Sequence, residues 1–71
     1  MPNISLELAS PPDREKLVVN LMIDHEQVAE INQETETLQV EIYGRRDGQP
    51  WILDFDDLTN ALKNAKSRLI W

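Results

Sequence analysis

Residues 16–43 read KLVVNLMIDHEQVAEINQETETLQVEIY, and the alternation in this stretch decides the fold. Leu38, Val40 and Ile42 alternate with Gln39, Glu41 and Tyr43, the clearest period-2 signal in the chain, and predict a strand over about 38–44. Residues 16–24 are β-rich, with Leu17, Val19, Leu21 and Ile23 on one face and Val18, Asn20 and Met22 on the other. Asp24-His25-Glu26 reads as a tight turn into a shorter strand over 27–32, in which Ala29 and Ile31 face one way and Val28 and Glu30 the other. Polar Gln33 to Thr37 makes the next turn.

Upstream, Ile4, Leu6 and Leu8 alternate with Ser5 and Glu7, predicting a strand over about 3–9 that Ser10-Pro11-Pro12-Asp13 must end, because proline cannot continue a ladder. Downstream, Gly44 to Pro50 is a loop, and the period then changes. Phe55, Leu58, Leu62, Ala65 and Leu69 recur at intervals of three and four, which predicts a helix over about 55–70. Asp54 is placed to cap it, and Asp56 and Asp57 against Lys63, Lys66 and Arg68 suit its dipole. The expected architecture is a single α+β domain over 1–71: a four-stranded antiparallel β-meander with one C-terminal α-helix packed on one face. The opposite face, with Val18, Met22, Val28, Tyr43 and Trp51, is then a candidate exposed apolar surface through which the chain would homodimerise.

Composition narrows the functions. The 71 residues hold no cysteine and one histidine, which excludes disulfides, thiolate metal sites and multi-histidine zinc sites. Thirteen acids against seven bases give a net charge of −6. That argues against nucleic acid as a direct partner and against an anionic membrane surface, both of which reward Lys and Arg. There is no basic n-region and no apolar run of membrane-spanning length, so the expected location is the cytoplasm.

Candidate chemistry is thin. His25, flanked by Asp24 and Glu26, reads as a general base or as a solvated turn residue, and no motif places a nucleophile beside it. Asp54, Asp56 and Asp57 resemble metal ligands, but they run straight into a helical stripe, and capping accounts for them. Glu30 and Glu41 are candidate neighbours on adjacent strands, yet a paired-carboxylate hydrolase needs a cleft. Arg45 and Arg46 lie in a loop that lacks the phosphate-binding pattern, and read as a solvated arm or a contact for an acidic partner. The expectation is a non-enzyme without metal or cofactor.

Charge is distributed unevenly. Residues 1–44 carry nine acids and two bases, whereas 45–71 carry four and five. Asp24, Glu26, Glu30, Glu34, Glu36 and Glu41 follow one another without an intervening base. In a meander they are expected to converge on one surface, able to steer a basic partner or merely to keep the protein soluble. Tyr43 and Trp51 are candidate aromatic anchors beside them.

The run Ala29-Glu30-Ile31-Asn32-Gln33-Glu34, followed by Leu38 to Tyr43, Asp47-Gly48-Gln49-Pro50-Trp51, Phe55-Asp56-Asp57-Leu58, Ala61-Leu62, Ala65-Lys66 and Arg68-Leu69, resembles small bacterial immunity proteins of polymorphic-toxin systems, of the contact-dependent inhibition or Maf type. The resemblance spans roughly residues 16–70 and rests on a pattern of generic residues. It implies a cytoplasmic inhibitor that binds a cognate toxin domain, in many cases a nuclease, and it carries over no binding residue by motif. A nuclease must hold a polyanion, so an acidic chain fits its basic face. The other expectation for this chain is a structural or assembly module that homodimerises through its open sheet face.

Overall fold

A computed structural model describes residues 3–69. Its elements are β1 (Ser5–Ala9), β2 (Val18–Ile23), β3 (Glu26–Asn32), β4 (Gln39–Ile42) and α1 (Phe55–Leu69). The strands form one antiparallel sheet in the order β1-β2-β3-β4. The predicted α+β meander with a C-terminal helix is therefore the observed fold. Ile70, the expected end of the helix, and Trp71 lie outside the described residues.

Connections follow local chemistry. Asp24 and His25 both have positive φ, 50° and 66°, and Ile23 pairs with Glu26 across them. This is the geometry of a two-residue type I′ turn, whose twist matches that of the flanking strands. Between β1 and β2, the Arg14 amide donates to the Pro11 carbonyl at 3.2 Å, closing the turn that the two prolines begin. The chain then crosses toward β3, where the amides of Glu15 and Lys16 donate to the Glu34 carboxylate at 2.9 and 3.2 Å. Leu17 sits in this crossing, before β2 begins, and is 46% exposed rather than on the inner face with Val19.

The core lies between the sheet and α1. Val19, Leu21, Ile23, Ala29 and Ile31 face Ala61, Ala65 and Leu69, with Leu58 and Leu62 packed at the margin. Each fully buried aliphatic side chain contributes about 1.5–3 kcal/mol of transfer free energy. The helix is capped as its sequence predicts: the Asp57 amide donates to Asp54 Oδ2 at 3.0 Å, and Lys66 and Arg68 occupy the last turn. Its buried line is rotated from the expected stripe. Ala61 is inside, whereas Phe55 is 77% exposed. Two alanines at the centre of the interface let the helix backbone approach the sheet, and the larger Leu58 and Leu62 move to the side.

Two face assignments, those of Val28 and Trp51, and the exposure of Val18 are corrected; Trp51 packs against the helix-side core instead of standing on the opposite face. The register shifts between Leu21 and Met22, so that Leu21 pairs with Ala29 but Met22 pairs with Gln27. Val28 is the extra residue of a β-bulge and turns into the helix-side core at 3% exposure instead of standing on the open face. Val18, also expected on that face, is fully buried at the end of the sheet adjoining the 10–17 crossing. The face opposite the helix is polar rather than apolar.

Candidate protein-interaction surface

Register sets the polar face. Glu30 pairs with Glu41 and with Asn20, and Asn32 pairs with Gln39. Two carboxylates side by side on adjacent strands repel unless a cation intervenes. Arg14 supplies it from the β1–β2 connection, with its guanidinium 2.8 Å from Glu30 Oε2 and also bonded to Glu41. Glu30 is 6% exposed and its Oε2 also accepts from Asn32 Nδ2 at 3.4 Å. Burial opposes the charge on Arg14, but the hydrogen bond to Glu30 and the charges of Glu30, Glu41 and Asp13 outweigh it and raise its pKa. The Tyr43 hydroxyl donates to Glu41 at 3.4 Å. Burial first, then the Glu30 and Glu41 charges, raises its pKa, with Arg14 opposing.

The six acids of the base-free run do not form one surface. Asp24 and Glu26 lie at the β2–β3 turn, where Glu26 accepts the Arg46 amide at 2.7 Å. Glu34 and Glu36 lie at the other end of β3, roughly 25 Å away at the rise of an extended strand. Glu30 and Glu41 stand between these ends and are tied to Arg14. Glu34 holds the β1–β2 connection, as its bonds to Glu15 and Lys16 show. Asp24 and Glu36 are exposed.

The apolar surface is on the helix side. An α-helix is about 10 Å across and strands lie about 4.8 Å apart, so one helix covers roughly two strands fully. Here α1 packs on β1, β2 and β3, and among the described residues it does not reach β4. Val40 and Ile42 share the face of Ile31 and Ala29 by register, yet are 45% and 77% exposed. Between them and Leu58 and Leu62 runs a groove of about 200 Å³ floored by Leu21, Val28 and Ala29. Trp51 and Leu53 close one end. The Trp51 indole N–H donates to the Tyr43 carbonyl at 3.0 Å, and the Arg45 guanidinium sits 5.5 Å from its ring centre. A second depression adjoins there, lined by Asp24, Glu26, Arg45, Trp51 and Ile52. Ile52 and Phe55, 82% and 77% exposed, continue the apolar character into the helix start, interleaved with Asp54, Asp56 and Asp57.

Of the expected aromatic anchors, Trp51 borders this groove and Tyr43 joins the polar network. Arg14, Val40, Ile42, Ile52 and Phe55 are additions from the structure. One signal for the groove was present in the sequence: four strands and a single helix leave a flank uncovered. His25 is exposed at the tip of its turn. Among the described residues, no three His, Asp or Glu side chains gather as metal ligands, and no helix is long and apolar enough to cross a membrane. Comparison with protein-family models, curated proteins and solved structures returns no match.

Proposed function

We propose that this chain is a non-enzymatic, protein-binding inhibitor of the immunity-protein class, which neutralises a cognate bacterial toxin by covering its basic active face. The observation that carries the reading is the apolar groove beside β4, bordered by Asp24 and Glu26 where it meets the Trp51 and Ile52 depression, in a chain of net charge −6. An apolar centre with a charged rim is the usual anatomy of a protein interface. Acidic side chains steer a basic partner and speed its capture. A nuclease domain is the partner whose active face this charge suits best. Val40, Ile42, Trp51 and Ile52 supply the apolar contact, and Asp24, Glu26 and Glu36 the field.

The test is co-expression with the product of the adjacent reading frame. The expected outcome is rescue of growth from a toxic product together with a stoichiometric complex that loosens as salt rises. Neutralising two exposed acids that make no ion pair or side-chain hydrogen bond among the described residues (Asp24→Asn with Glu36→Gln) flattens that salt dependence. A non-toxic neighbour, with this chain running alone as a salt-insensitive dimer, replaces the inhibitor reading with that of a structural module.

A further inference from the structure

The outer edge of β4 lies along the apolar groove, and its backbone groups are placed by register. The Tyr43 amide donates to the Val28 carbonyl at 2.9 Å, which makes these two a hydrogen-bonded pair. Pairs alternate along an antiparallel ladder. Glu41 with Glu30 and Gln39 with Asn32 are therefore bonded inward, whereas the N–H and C=O groups of Val40 and Ile42 point away from β3. Among the described residues no strand lies beyond β4. The same two residues thus present free backbone outward and apolar side chains to the groove.

We propose that β4 accepts an extended segment of the partner as a fifth strand, and that the segment alternates apolar and basic residues. This mode of recognition rests on the protein-binding reading above, though not on the partner being a toxin. Backbone pairing with Val40 and Ile42 supplies the affinity, and alternate side chains supply the choice. Residues opposite Val40 and Ile42 project over the groove toward Leu58 and Leu62. The residue between them projects on the other face, beside Glu41, which is 45% exposed. One guanidinium, Arg14, serves both Glu30 and Glu41, so this site keeps a net negative charge and favours Lys or Arg. A second copy of the chain fits poorly. Symmetric antiparallel pairing that joins Val40 to Ile42 sets Glu41 opposite its own copy, between two chains each of charge −6.

The experiment uses a blocked peptide alternating valine and lysine over about five residues, the usual strand length, titrated into the full chain and followed by amide NMR and hydrogen exchange. The expected result is exchange slowed about tenfold or more at the Val40 and Ile42 amides, with the Glu41 amide, already donated to β3, unchanged. A counterpart alternating valine and glutamate binds about tenfold more weakly or not at all. Val40→Pro removes one outward N–H without breaking a β3–β4 bond and abolishes the slowing. Three results overturn the proposal: no change at β4, equal binding of both peptides, or Val40 and Ile42 amides already protected in a dimer of the free chain. A toxin complex that forms while the peptide leaves β4 unchanged overturns strand addition and keeps the inhibitor reading. Specific peptide binding at β4 without a toxic partner does the reverse.

Discussion

β3 and β4 are written in nearly the same letters and live in different solvents. Val28-Ala29-Glu30-Ile31 of β3 lies beside Val40-Glu41-Ile42 of β4, and Glu30 stands opposite Glu41. Yet Ile31 is 2% exposed and Ile42 77%. The difference does not come from propensity or pattern, which are alike. It comes from strand order: β3 is flanked by two strands and lies under part of the helix, whereas β4 is an edge beyond the helix. In this protein position in the sheet, not residue type, separates side chains that hold the fold from side chains available to a partner.

The largest test of that comparison is one truncation made twice. Ile31→Ala removes core packing and should cost about 2–5 kcal/mol in urea unfolding, close to the whole stability of a domain this small. Ile42→Ala should stay within about 0.5 kcal/mol. Equal losses would mean that the groove is closed in solution. A smaller contrast concerns the two glutamates. Arg14→Ala strands the buried Glu30 carboxylate without its cation and should lower the urea midpoint, with part of the loss recovered by adding Glu30→Gln. Glu41→Gln alone should cost less than about 1 kcal/mol, since an exposed ion pair contributes little. A larger effect at Glu41 than at Arg14 would reverse the ranking of the network.

The smallest effect is spectroscopic. Tyr43 is the only tyrosine, so phenolate absorbance reports it alone. Its midpoint should lie above the ordinary tyrosine value, and Glu41→Gln should move it down by removing a neighbouring charge and replacing an anionic hydrogen-bond acceptor with a neutral one. Because the folded pKa is the raised one, the small associated stability is complete below about pH 10 and is lost as pH rises through the Tyr43 midpoint. An unshifted midpoint would remove Tyr43 from the Arg14 network.

Part of the candidate surface was legible before any coordinates. Trp51 was expected as an aromatic anchor, and it borders the groove, though on the helix side of the sheet rather than the opposite face. The acidic run from Asp24 to Glu41 was visible as a run but misleading as a surface. Sequence adjacency says nothing about a cation arriving from another connection, and Arg14 arrives 16 residues ahead of Glu30 and 27 ahead of Glu41. Extended strands also carry Asp24 and Glu36 to opposite ends of the sheet, because each residue adds about 3.3 Å.

Local chemistry determined the elements of this protein. Alternation made the strands, Asp24-His25 the tight turn, Pro11-Pro12 the end of β1, and Asp54 the helix start, because each depends on residues within a turn or two of one another. Tertiary structure decided what each face does. A bulge at Val28 sent an expected surface residue inward, and the crossing of residues 10–17 accompanied Val18 into burial. Two alanines set which line of the helix met the sheet, and the width of one helix against four strands left Val40 and Ile42 bare. Those outcomes depend on how elements share limited area over long separations in the chain, which periodicity along the sequence does not encode.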